Sequence, residues 1–383
     1  MPTGTPTNGD THDTTLCLKD YAAELLLFRL PAYGTPAGGV TPPRQSGARH
    51  RFRGGLPGLR RFSLVYVGLA TVLLFSVLTP GTFLTAQTWK SIVNEQAITC
   101  MVALGLLVPL SAGAFDLSVG WLVGIGGVGV AWLLTHGVAT VPAIGITLAG
   151  GVLVGVANGA LVVGWGIDSF IATLGMGSIL SAAIGWISGN QFIVGLPNSF
   201  ASIALTQVDG FSLPVAYLLV IAFVLWFLLN HTPSGRRIYA TGGARDAARL
   251  SGVRTSRIVY VSFLVSALLA TVAGVVLTAS LTSASSSVGP DYLLPAFAAA
   301  FLGSTQVIPG RFNVWGTVLA VYVLAIGVKG LQLLGAAFWV PDLFNGVALI
   351  AAVGLSIKRP HVPAARIRAR LNAKRTERQT RPT

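Results

Sequence analysis

From about residue 63 onward the chain alternates long apolar stretches with short polar connectors. Each stretch is close to the ~20 residues needed to cross an ~30 Å hydrocarbon core. The apolar positions run continuously instead of alternating. Lipid admits only helices or closed barrels, and barrel strands alternate, so the pattern predicts an all-α polytopic membrane protein. Ten spans are predicted, at about 63–84, 91–110, 117–135, 139–163, 169–188, 212–230, 258–281, 291–305, 312–334 and 341–357. Three regions follow: a cytoplasmic tail 1–60, a transmembrane domain 61–357 with a cytoplasmic loop 231–257, and a basic tail 358–383.

Composition agrees. Of 383 residues, 53% are hydrophobic and 10% charged, and the mean hydropathy is +0.72; soluble domains carry about 25% charged residues. The 46 glycines suit helices that approach closely through small side chains. Cys17 falls in the tail and Cys100 in a span, so no disulfide is expected. The segment "LCLKDYAAELLLFRL" (16–30) contains acids and lacks a basic leader or cleavage site, which excludes a secretory signal. It fits either a surface-lying amphipathic helix or an unordered tail.

Charge sets the expected orientation. Arginines from Arg44 to Arg61, arginines from Arg236 to Arg257, Arg311, and the Lys/Arg-rich tail after 357 all fall on one side of a ten-span chain. Basic residues accumulate on the cytoplasmic side, which places both termini there. The net charge of +14 then reflects topology and attraction to anionic lipid, and no nucleic-acid partner is implied. The longest outward loop, 189–211, carries only Asp209, and a connector that long is often functional.

A power source would show as intramembrane acids. Asp168, Asp291 and Asp342 sit at span starts, where they are expected to cap helices. That leaves Glu95 and Asp116, neither with an evident basic partner in the sequence. There is no phosphate-binding loop and no metal-ligand spacing, so no catalytic residue, metal or cofactor is expected. Energy for uphill transport would come from another subunit.

The stretch "GRRIYATGGARDAARLSGV" (235–253) is the best-charged segment inside the apolar region. Gly242-Gly243 is expected to break the chain, Ala244–Ser251 to form a two-turn helix, and Gly252 to stop it. Asp246 and Arg249 can pair at i, i+3. Ala247, Leu250 and Ser251 share a small-residue face. A docking element and a solvated orienting loop both fit these features.

Four stretches together resemble the permease subunits of bacterial ATP-binding-cassette importers of the ribose/xylose/galactose class. These are "AGAFDLSVGWLVGIGG" (112–127), "ANGALVVGWGIDSFIATLGMGSI" (157–179), "GRRIYATGGARDAARLSGV" and "AAAFLGSTQVIPGRFNVWGTVLAV" (298–321). The resemblance covers about 60–357. It implies that 235–253 is the coupling loop, with Asp246, Ala247, Ala248 and Gly252 on the E-A-A-x-x-x-G positions and Gly243, Arg249 and Leu250 beside them. Asp246 replaces the family's usual Glu. Leu293 and Pro295 replace two acids of the family segment, which argues against assigning ribose.

The resemblance implies a multi-pass permease of the bacterial inner membrane. Its partners would be cytoplasmic ATPase subunits, an extracytoplasmic solute-binding protein and a second permease chain. Asn94, Gln96, Asp116, Ser118, Asn158 and Thr173 are polar groups in or beside spans that could line the pathway, and each could equally serve as a cap or helix–helix hydrogen bond. Beside the sugar importer stand three other readings: an importer of branched-chain amino acids or nucleosides, an ion-coupled carrier, and a non-transporting scaffold.

Overall fold

The computed structural model describes residues 63–306 and 310–357. The terminal tails, including 16–30 and Cys17, lie outside the described residues. Each of the ten predicted spans contains a helix. They are α1 (Ser63–Leu78), α3 (Ala86–Ser111), α4 (Val119–Thr135), α5 (Thr140–Gly159, prolonged by a π turn Ala160–Gly164), α6 (Ser169–Ser188), α8 (Leu213–His231), α11 (Thr255–Leu281), α12 (Leu293–Ser304), α13 (Val314–Leu333) and α14 (Val340–Ile357). Six of these, α3, α5, α6, α8, α11 and α13, are long and apolar enough to cross a membrane; α1, α4 and α14 are shorter apolar helices. The remaining helices are short: α2 (Pro80–Phe83), α7 (Asn198–Leu205), α9 (Pro233–Gly243) and α10 (Arg245–Leu250).

Two helices organise the bundle. The 27-residue α11 packs on α3, α4 and α5, while α3 also reaches α8, α12 and α13. Residues 97–111 of α3 are buried without interruption. A second group forms from α12, α13 and α14, with α1 on α13. In lipid, burying apolar side chains against each other gains little over burying them in acyl chains, so association rests on close packing. Glycine permits that approach. A Cβ at Gly155 of α5 would lie 2.9 Å from Ala267 Cβ and 3.0 Å from Phe263 O on α11. Gly151 and Gly159, one turn either side, face Thr271 and Tyr260 in the same way. The period is the four-residue spacing that keeps small residues on one helix face.

Several expectations need correction. Helix α9, started by Pro233 and by the Gly235 N–H donating to Thr232 Oγ1, runs through the glycine pair, so the break expected at Gly242-Gly243 falls one residue later, at Ala244. The outer loop contains α7 and a two-stranded ribbon, Gln207–Val208 and Phe211–Ser212. Its turn is Asp209-Gly210, both at positive φ (53° and 84°), which is the geometry of a type I′ hairpin. Glu95 has a partner after all: Lys329 Nζ of α13 lies 3.1 Å from Glu95 Oε1. Asp168 caps α6 through the Phe170 N–H, whereas Asp291 falls inside a 3₁₀ turn (Pro290–Tyr292) and Asp342 in the first turn of α14.

Gly155→Leu should therefore prevent α5 from seating on α11. Overpacking typically costs about 1–3 kcal/mol or more. Gly150, on the same helix, has open space around it. Size-exclusion profile and thermal midpoint in detergent should drop for Gly155→Leu and stay near wild type for Gly150→Leu.

Candidate functional site

Four of the six predicted pathway residues meet in one buried network around the turn between α3 and α4. The α3 helix ends with Gly113 at φ 80°, where the Ala114 N–H donates to Pro109 O and the Gly113 N–H to Leu110 O. These paired bonds form a Schellman stop, which needs the left-handed residue that glycine supplies. The chain then leaves the helix through 114–116 and turns at 117–118 into α4. Ser169 Oγ accepts the Phe115 N–H at 3.1 Å and Thr173 Oγ1 accepts the Leu117 N–H at 2.9 Å. Asp116 Oδ1 accepts from the Ser118 N–H (3.1 Å) and hydroxyl (2.6 Å), and Asn158 Nδ2 donates to Ser118 Oγ at 2.8 Å. Asp116, Ser118, Asn158 and Thr173 are all fully buried.

The network clamps α4, α5 and α6 to the turn. It is not saturated: among the described residues Asn158 Oδ1 has no hydrogen-bond partner, while the Ser266 hydroxyl of α11 lies beside the Asp116 carboxyl. No Lys or Arg pairs with Asp116 among the described residues. The other two predicted residues lie elsewhere. Asn94 holds the 207–212 ribbon, donating to Gly210 O and accepting from the Ser212 N–H. Gln96 lines a cavity of about 120 Å³ between α3, α12, α13 and α14, with Thr99 and Asn345.

The 231–257 loop is an ordered two-helix unit. α10 covers Arg245–Leu250 and ends in a second Schellman stop: Gly252 has φ 81°, the Val253 N–H donates to Ala248 O, and the Gly252 N–H to Arg249 O. The predicted helix and glycine stop are thus in place. The predicted Asp246–Arg249 ion pair does not form. Ala248 faces inward, 6% exposed, whereas Gly243, Asp246, Ala247, Arg249 and Leu250 are exposed, Leu250 at 90%.

Two contacts tie this unit to the bundle. The Cα of Gly242 would lie 3.1 Å from a Cβ on Gly113, and a Cβ on Gly242 would collide with Ser111 O. Backbone thus touches backbone where α9 meets the α3–α4 turn. Tyr239 Oη donates to Phe312 O at 2.7 Å, and Arg311 Cζ sits 3.4 Å above the Tyr239 ring. Burial pushes the Tyr239 phenol up from its ordinary pKa and Arg311 pulls it partly back. It stays a donor at neutral pH, joining α9 to the α12–α13 connector. Sequence reading missed Gly113, Tyr239, Gly242 and Arg311 as partners. The glycine pair and the tyrosine within "GRRIYATGG" were the available signals.

One further feature escaped the sequence. An open cleft of about 630 Å³ runs along α6, lined by Trp121, Ser178, Ser181, Ala182, Gly185, Trp186 and Asn190. Trp121 lies flat against Gly177, and Trp186 is 85% exposed. The lining has aromatic faces, hydroxyls and an amide, and no charged group.

A protein-family model described as the permease component of branched-chain amino acid transport systems matches residues 88–353. The ribose import permease protein RbsC of Bacillus subtilis is 33% identical over 291 residues, 75% of this chain and 90% of that protein. The D-allose transport system permease protein AlsC of Escherichia coli is 31% identical over 297 residues, 77% of this chain and 91% of that one. An autoinducer 2 import system permease protein, LsrD of Photorhabdus luminescens, is 29% identical over 268 residues, covering 68% and 80%. No solved structure matches the chain. The family match and these relatives agree on the permease component of a solute transport system.

The network makes a prediction about Asp116. Asp116→Asn keeps the acceptor for Ser118 and puts an amide donor beside the Ser266 hydroxyl, so thermal stability in detergent should be unchanged or raised. Asp116→Ala strands the Ser118 N–H and hydroxyl and should cost about 1–3 kcal/mol. Equal losses for both would mean that the carboxylate charge, not hydrogen bonding, holds the turn.

Proposed function

Since the chain belongs to the permease-component family of branched-chain amino acid transport systems, we propose that it forms half of the membrane pathway of an ATP-binding-cassette importer. Its solute is a sugar or a similar neutral polyol. All ten apolar helices cross the bilayer, both termini are cytoplasmic, and α9–α10 lies on the cytoplasmic side. A second permease chain completes the pathway, an extracytoplasmic binding protein delivers solute, and separate ATPase subunits drive the cycle through α10.

The observation that carries this reading is the pairing of an outward surface with an inward contact on one short unit. Ala247, Arg249 and Leu250 of α10 are free to meet a partner. One helix away, Gly242 presses on Ser111 and Gly113. A push on α10 is thereby delivered to the turn that holds α3, α4, α5 and α6 in register. The α6 cleft favours a neutral solute, since its lining holds no charged group to pair with an ammonium or a carboxylate. The two tryptophans offer flat apolar faces and Ser178, Ser181 and Asn190 offer hydrogen bonds, which suits a sugar ring. The Glu95–Lys329 pair is partly exposed, and Asp116 lacks a basic partner, so a charge relay for ion coupling gains no support.

Two variants separate docking from transmission. Leu250→Asp puts a charge on the outward face and should lose at least ~2 kcal/mol of partner affinity, a roughly 30-fold weaker hold on the ATPase during co-purification. Gly242→Val leaves that face intact and blocks the inward contact, so the ATPase should co-purify while solute-stimulated hydrolysis and uptake fall together. Wild-type behaviour of both variants would remove α10 as the coupling element. Reporter fusions after 240 should read cytoplasmic and after 205 external; a cytoplasmic signal at 205 would break the ten-span arrangement.

A further inference from the structure

Two cavities at the base of the bundle share Arg237, Arg257 and Ile258. One, about 300 Å³, runs between α8 and α11 and is walled by apolar side chains, among them Leu225, Leu229, Val261 and Val265. The other, about 430 Å³, is floored by Ser251, Gly252 and Val253 at the end of α10 and ringed by Arg237, Arg254 and Arg257. All three arginines are exposed, and none pairs with a carboxylate among the described residues. Trp226 and Phe227 pack against His231 at the end of α8, an aromatic cluster of the kind that marks a membrane–water boundary.

We propose that this composite groove binds an anionic phospholipid of the cytoplasmic leaflet. An acyl chain occupies the α8–α11 groove, and the phosphate lies against Arg237 and Arg257. The shape and the charge select the same molecule. Val261 and Val265 lie about 9 and 15 Å along α11 from Thr255, a depth that hydrocarbon reaches and a water-borne anion does not. Arginine matches phosphate geometry through paired N–H donors, and cationic side chains at this level attract acidic headgroups. A zwitterionic lipid would fill the groove and leave the arginine charge uncompensated.

The headgroup would rest on Gly252 and Val253, the two residues whose N–H groups close the α10 stop. Occupancy then stabilises the seat of α10, and the lipid acts on coupling without touching the solute route. Lipid retention is read directly, so the outcome does not depend on which solute the permease carries.

The test is native mass spectrometry of the purified full-length chain with phosphatidylglycerol or phosphatidylcholine of identical acyl composition. Phosphatidylglycerol should be retained preferentially. Arg237→Gln and Arg257→Gln should each reduce that retention about fivefold, with the double variant falling to the phosphatidylcholine level. Val261→Trp should displace both lipids from the groove. Equal retention of the two lipids by wild type would overturn the proposal even if a variant failed to fold. So would displacement of the lipid by inorganic phosphate alone, which would make this a free-anion site. Disulfide capture of a second copy through Val261→Cys would likewise overturn it, by showing that another permease chain covers the groove.

Discussion

Backbone packed against backbone is the constraint on which the structure depends. A helix already dissolved in hydrocarbon gains little by exchanging lipid for an apolar neighbour, so specificity must come from how closely chains approach. Gly155 lets α5 lie on the carbonyl of Phe263 in α11, and Gly274 lets α11 lie on the carbonyl of Val123 in α4. The same device recurs at the base, where Gly242 meets the Ser111–Gly113 turn. Contacts of this kind are stiff. A leucine side chain can hop between rotamers, but two backbones in contact have no such freedom, and displacement of one displaces the other.

That stiffness gives the α3–α4 turn its place in the mechanism. The turn receives Gly242 on one side and, through Ser169, Thr173 and Asn158, hands its position to α6 and α5 on the other. Hydrogen bonds to a single non-helical segment make three helices share one reference point.

The helices were legible because hydrophobic runs of span length have few alternatives in a membrane. The α10 stop was legible for a local reason: Gly252 follows a run of helix formers, and the left-handed residue of a Schellman stop favours glycine. What sequence could not supply was contact. The resemblance put Ala248 among the coupling residues, yet it faces inward. Glu95 looked unpaired because Lys329 is 234 residues away. Asn94, Asp116 and Thr173 are all polar residues in or beside apolar runs, and only the fold separates a ribbon clamp from a buried turn. The α6 cleft was hidden for the opposite reason, since tryptophan, serine and glycine in a span are unremarkable until one face is found open.

The size of α10 limits what it can do alone. Six helical residues span about 9 Å, while a stable protein–protein interface buries about 800 Å² per partner. Only a fraction of that is available on Ala247, Arg249, Leu250 and their neighbours. The exposed arginines around it, Arg236, Arg245 and Arg254, form a charged rim whose main effect is on orientation and encounter, with modest affinity. On the proposed reading, an ATPase held by this surface must therefore also grip other parts of the assembly. In that role the helix would be a key that sets register: weakly bound by itself, joined through Gly242 to the turn, and so able to convert a small displacement of its partner into a shift shared by α3, α4, α5 and α6.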